Sequence, residues 1–248
     1  MPLLFFLIAL LYTMAGFGGG SSYLAVLSLT GRPLDEIATL ALLCNLAATS
    51  VAVYHFGKNR LIHWPHASPL LISSVPAAFI GGSIRIDAAW HLLLLATALT
   101  VAGIHLFAGA GQETHRPSQH LSARTRWAGG FIIGAGLGLL SGVVGIGGGI
   151  FLAPLLYILR WTDARHIAGL ACFFICCNSI AGIGGRWLRL GDVMWTPDAV
   201  WLLIAVLGGA FIGSRLSTQK LLPPALRLVT ALLVTAVAIR LWLRWFTY

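Results

Sequence analysis

Long apolar blocks, each closed by one or a few polar residues, run the length of the chain. Charged side chains are absent from residues 1–31, 37–57, 61–84, 88–112, 127–159, 166–185, 199–214 and 228–239. A helical bilayer crossing takes roughly 20 mostly apolar residues. Inside the blocks Leu, Ala, Ile and Val follow one another without the two-residue alternation of barrel strands. The pattern predicts an all-α, polytopic membrane protein, with elements at 3–29, 36–57, 64–84, 88–108, 128–159, 165–185, 197–214 and 222–244.

The second half repeats the first. AGFGGGS at 15–21 returns as VGIGGGI at 144–150, which sets Gly16 opposite Gly145. Cys44-Asn45 matches Cys177-Asn178, AFIG at 78–81 matches AFIG at 210–213, and Pro65 matches Pro197, all at offsets of 129 to 133 residues. Anchors in one order at nearly constant spacing indicate a duplication: repeat I over 1–110, a polar linker over 111–126, and repeat II over 127–248. The first block lacks the basic start and cleavage site of a secretory signal. Its counterpart deep in the chain marks it as part of the fold.

Each repeat opens on an element too long for a simple crossing and interrupted by glycines. Glycine runs favour non-helical turns, and such a break is tolerated at membrane depth only where protein or a watery cavity surrounds it. Half-helices are therefore expected at 3–14 and 21–29, and at 129–142 and 150–159. If the broken element crosses the bilayer, the halves are parallel and the basic residues divide nine against seven between the two sides. If it turns back as a re-entrant hairpin, the halves are inverted and the division is ten against six. The larger bias favours inversion under the positive-inside rule, with both termini outside. Either arrangement puts the linker in the cytoplasm.

Composition narrows the class further. The chain is 58% hydrophobic and 9% charged, against about 25% charged for soluble domains, and its mean hydropathy is +0.88. The net charge of +9 comes from basic residues scattered between apolar blocks, where they act as topology signals, and no nucleic-acid partner is expected. All four cysteines, Cys44, Cys172, Cys176 and Cys177, lie inside apolar blocks and read as small helix residues. Vicinal Cys176 and Cys177 are the one foothold for thiol chemistry.

The glycine triples carry the candidate chemistry. A half-helix starting after Gly18, Gly19 and Gly20, or after Gly147, Gly148 and Gly149, would present unpaired N–H groups and the positive end of its dipole. That is an anion site made of backbone, and paired discontinuous helices form such sites in transporters. Ser21 and Ser22 would cap the first half-helix or donate to the anion. Ile150 and Phe151 replace them in the second. Asn45 and Asn178 follow in the next helix of each half, where an amide needs a partner. They would either donate to substrate oxygens or tie down the broken backbone, and both roles stay open. No basic residue lies in these blocks, so the anion is expected to be held without Lys or Arg. Gly130, Gly134, Gly138 and Gly142, spaced by four, form a bare helix face for packing. His55 and His166 are the candidate proton carriers if protons are the coupling ion. No intramembrane acid pair, nucleophile set, metal motif or cofactor fingerprint appears, so neither an enzyme nor a cofactor is expected.

These features together resemble the TauE/SafE family, the sulfite exporter permeases: duplicated GxGGG broken helices, an Asn in the following helix, and small-residue turns at Gly81 to Ser83 and Gly213 to Arg215. The resemblance covers essentially the whole chain. It implies a secondary transporter, working by alternating access, of sulfite, sulfonate or thiosulfate in a bacterial inner membrane. Gly18 to Gly20, Gly147 to Gly149, Asn45 and Asn178 would line its path. Ser21-Ser22 is more polar than the aliphatic pair usual after the glycines, and Gly182 to Gly185 reads as a looser stretch. The alternative is a non-transporting membrane accessory or assembly factor. Oligomeric state is open.

Overall fold

The computed structural model describes residues 1–14, 16–108, 123–159, 161–162, 164–191, 197–217, 232, 235–236, 238–243 and 245–246. In order come α1 (Pro2–Met14), α2 (Gly20–Ser28), α3 (Leu34–Lys58), α4 (Trp64–Ser83), α5 (Ala88–Ala108), α6 (Ala123–Val144), α7 (Gly149–Ile158), α8 (Ala164–Leu190) and α9 (Pro197–Ser217). Among the described residues there is no strand. Residues 238–243 are helical, and Trp242 Nε1 donates to Thr100 Oγ1 of α5 at 3.1 Å. Most of the linker and of the element expected at 222–244 lie outside the described residues.

The molecule is a multi-pass membrane protein. Segments of α3, α6, α8 and α9 are long and apolar enough to cross a bilayer by themselves. The burial pattern inverts that of a soluble bundle. Ile72, Trp90, Ile104, Ile132, Leu188 and Trp201 are exposed, whereas small residues such as Ala38, Ala41, Ala48 and Ala52 are buried. Lipid replaces water outside, so helices associate through close backbone packing and not by hiding Leu from solvent.

The glycine ladder of α6 does what its spacing predicts. A Cβ at Gly130 would meet Pro69, at Gly134 the Leu70 carbonyl, at Gly138 the Ser74 carbonyl and at Gly142 the Ala78 carbonyl, so α6 lies flush on α4 and runs parallel to it. α1 lies on α9 in the same way, with Gly209 against the Phe6 carbonyl and Gly213 against the Leu10 carbonyl. α1 is thus seated on α9 of the second half, and α6 on α4 of the first. Gly16 packs against Ala168 of α8, and Gly145 packs reciprocally against Ala38 of α3.

Four boundaries differ from the sequence expectation. α6 begins at Ala123, inside the stretch expected to be linker, and α8 runs to Leu190, past Gly182 to Gly185. Arg is a good helix former, so a charged residue ends the apolar block without ending the helix. The glycines of α8 are closely packed: Gly82 faces the Gly182 carbonyl and Gly185 faces the Phe79 carbonyl. The expected turns at Gly81 to Ser83 and Gly213 to Arg215 are helical. Their glycines serve close helix approach, Gly81 against the Leu139 carbonyl and Gly213 against that of Leu10.

Candidate functional site

α1 stops at Met14 and α2 starts at Gly20; α6 stops at Val144 and α7 starts at Gly149. Gly16 (φ +78°) and Gly19 (φ +88°) turn the first break, and Gly145, Gly147 and Gly148 (φ +85°, +82° and +76°) turn the second. These left-handed conformations cost an L-residue about 1–2 kcal/mol each, which is why glycine stands there. Each broken element returns to the end of the bundle where it began. Gly129 near the start of α6 lies against Trp161 just after α7. Arg32, just after α2, pairs with Asp198 at the start of α9, the helix along which α1 sets out.

The two breaks meet at Asn45. Its side chain is fully buried, and its amide lies against Gly18 and Gly20 of the first break and Gly147 of the second. Asn45 Nδ2 donates to the Ile146 carbonyl at 2.9 Å, so one of its two amide hydrogens ties the second break to α3, beside the first break. The positive end of α2, which begins at Gly20, therefore faces Asn45 and can supply roughly half an elementary charge, whereas Gly149 at the start of α7 is covered by Ile175. A small pocket lies there, lined by Tyr12, Phe17, Gly18, Gly19, Gly20, Ser21, Asn45, Ile146 and Ile175. None of these residues carries a charge.

The expected site residues divide into three groups. Gly18, Gly19, Gly20, Ser21 and Asn45 line the pocket. Ser22 faces Tyr12, with Oγ and Oη hydrogen-bonded at 2.7 Å. Gly147 adjoins Asn45, Gly148 packs against Phe174, and Gly149 is covered by Ile175. Asn178 is also fully buried, and neither atom of its amide has a partner in the protein. The same holds for Ser21 Oγ, Ser179 Oγ and Asn45 Oδ1. Unpaired buried donors and acceptors are rare in native folds and call for a ligand or water. His55 and His166 lie elsewhere. His55 Nδ1 is bonded to Ser214 Oγ at 2.7 Å, ten residues or about 15 Å along α3 from Asn45. The His166 ring is 6.3 Å from that of His63.

One buried charge escaped the sequence reading. Arg186, 2% exposed, donates through Nη2 to the carbonyls of Gly142 (3.2 Å) and Val143 (2.8 Å), capping α6 just before its break. Its Nη1 donates to Asp35 Oδ1 at 3.1 Å. Arg189 donates to the same oxygen and, through Nη1, to the Ile84 carbonyl at 3.3 Å. Arg186 follows Asn178 by eight residues, two helical turns, so the phase of α8 was the available signal. Beside this cluster Arg32 pairs with Glu36 at 2.5 Å and with Asp198. Burial works against the Arg32 charge, but the two carboxylates outweigh it and hold the guanidinium above its ordinary pKa.

The sequence model of the family described as "Sulfite exporter TauE/SafE" matches residues 1–241. The chain belongs to the TauE/SafE family. It is 30% identical over 249 residues to "Probable membrane transporter protein y4hK" of Sinorhizobium fredii (strain NBRC 101917 / NGR234), covering 97% of this chain and 96% of that one. It is 28% identical over 245 residues to a "Probable membrane transporter protein" of Xylella fastidiosa (strain Temecula1 / ATCC 700964), covering 92% and 89%. No solved structure matches it significantly. In this TauE/SafE chain the glycine breaks, Asn45 and the Arg186 cap form one continuous structure, because Arg186 fixes the end of α6 and Asn45 fixes the turn that follows.

Proposed function

We propose that the chain is a secondary transporter of small sulfur-containing oxyanions, of the sulfite, sulfonate or thiosulfate class, in a bacterial inner membrane. The observation that carries this reading is the meeting of the two glycine breaks at Asn45, beside the α2 N-terminus, in a pocket without charged walls. Backbone N–H groups, Ser21 Oγ and the amide of Asn178 supply donors. With no permanent ion pair to break, the anion can leave. The two halves are read as inverted repeats that rock past the site in alternating access. The reciprocal seating of α1 on α9 and α6 on α4, and the return of each broken element to its starting end, support that reading. His55 and His166 then serve as proton carriers at the end of the bundle where α3 ends and α8 begins, without touching the anion.

The test is counterflow in proteoliposomes: vesicles loaded with sulfite, thiosulfate, a sulfonate or a carboxylate, with labelled substrate outside. Accumulation driven by the sulfur oxyanions, and not by the carboxylate, is the expected result. Accumulation driven by a cation, or by none of them, sinks the proposal.

Two further outcomes are expected. Asn178→Ala removes an amide that has no protein partner, so yield and unfolding temperature should stay near wild type. Loss of a donor to a charged acceptor costs about 1.5–3 kcal/mol, so the apparent dissociation constant should rise roughly tenfold to a hundredfold. Reporter fusions should place the linker in the cytoplasm and both termini outside. A terminal fusion active only in the cytoplasm refutes the inversion.

A further inference from the structure

Arg186 and Arg189 stand three residues apart on α8, and each is anchored by one terminal nitrogen to backbone carbonyls of another element. Arg186 uses Nη2 on Gly142 and Val143 at the end of α6, and Arg189 uses Nη1 on Ile84 at the end of α4. Each gives its other terminal nitrogen to one atom, Oδ1 of Asp35. The Nε atoms of both are buried and have no partner. The two guanidinium charges and the one carboxylate leave a local charge of +1. Arg32 next to them is already matched by Glu36 and Asp198.

Capping of α6 explains Nη2 of Arg186 and nothing more. It requires neither Arg189 nor the meeting of two anchored guanidinium groups on a single oxygen. Planar forks held in this way also match an anion with three or four oxygens, which can take N–H groups from both guanidinium groups at once. Exposure orders the cluster. The Arg186 side chain is 3% exposed and Arg189 12%, while Asp35 in front of them is 38% exposed. Asp35 precedes Asn45 by ten residues on α3, about 15 Å along the helix axis, so the cluster lies toward the end of the bundle where α3 begins, where the transporter reading requires a mouth.

We propose that Arg186 and Arg189 form a second oxyanion station at the mouth where α3 begins, with the Asp35 carboxylate as a tethered occupant that an anion in transit displaces. Its place in transit rests on the transporter reading; its anion chemistry does not. No bond is made or broken. The carboxylate swings toward solvent and returns when the anion moves on.

The experiment uses the full chain in detergent, unfolded by heat in sodium sulfite or sodium sulfate against sodium chloride at equal ionic strength. Asp35→Asn should unfold below wild type in chloride and recover in either oxyanion, at concentrations about tenfold lower than any effect on wild type, since a bound ligand stabilises the folded state. Adding Arg189→Gln should abolish the recovery. Equal instability of Asp35→Asn in all salts, or recovery that survives Arg189→Gln, overturns the proposal. Should Asp35→Asn yield no folded protein, Arg189→Gln alone decides. It should raise the KM for sulfite at that mouth about tenfold, or about 1.4 kcal/mol, whereas a merely structural role would lower turnover and leave KM unmoved. Wild-type protein that fails counterflow while Asp35→Asn is still rescued by sulfite refutes transport and leaves the station standing.

Discussion

Gly147→Ala and Gly20→Ala should each abolish transport, although each adds one carbon. At Gly147 the backbone has φ +82°, and a Cβ would lie 2.7 Å from Asn45 Nδ2 and 2.9 Å from Ile175 Cγ2. The left-handed conformation costs about 1–2 kcal/mol and overpacking about 1–3 kcal/mol more. At Gly20 the new carbon would lie 2.5 Å from the Ile146 carbonyl, which is backbone and yields little. Both substitutions push on the one amide that joins the breaks. Gly136→Ala is the control, since no atom lies within 4 Å of its Cβ position, and uptake and yield should match wild type. Gly134 is unsuitable for that purpose because its Cβ position lies against the Leu70 carbonyl. The measurement is counterflow uptake per unit of monodisperse protein. Normal uptake by Gly147→Ala and Gly20→Ala would show that the breaks are not held as tightly as this geometry requires.

Arg186→Gln should be the most destabilising single change at the ends of the helices. Removing one partner of a fully buried ion pair costs about 3–5 kcal/mol, and solvent at the 38%-exposed Asp35 lowers the share that comes from this pair. Here the Gly142 and Val143 carbonyls lose their charged donor as well. Arg186→Lys should recover only part of the loss, because one ammonium cannot span two carbonyls and a carboxylate as a planar fork does. Thermal unfolding in detergent reads the difference, and a glutamine variant as stable as wild type would show that the cap is dispensable.

The helical class and the places of the breaks were legible in the sequence because both are matters of composition. Apolar blocks of membrane length have few alternatives, and glycine at positive φ leaves a visible cluster. Helix ends were less legible. Arg124 and Arg126 sit inside α6, and a hydropathy pattern sees charge, not helix. The candidate site was half legible. Asn45 and Asn178 stood out as amides in apolar blocks, yet their difference did not. Asn45 is spent partly on Ile146 and Asn178 has no protein partner, which depends on how two elements 101 residues apart pack. Arg186 was missed because it lies one residue beyond an apolar block, where an arginine ordinarily marks the membrane surface.

The seating of each opening helix on the far half has a consequence for synthesis. α1 and α2 leave the ribosome first, but α9, on which α1 rests, follows about 190 residues later. At the usual 5–20 residues per second the first hairpin waits roughly 10–40 seconds for its support. During that wait the broken backbone around Gly16 to Gly19 has neither Ala168 nor Ile146 beside it, and unpaired peptide groups do not rest in hydrocarbon. The newborn hairpin must therefore stay in the insertion machinery or at the membrane surface until the second half arrives. A chain stalled before α8 should be a better substrate for membrane proteases than one stalled after α9.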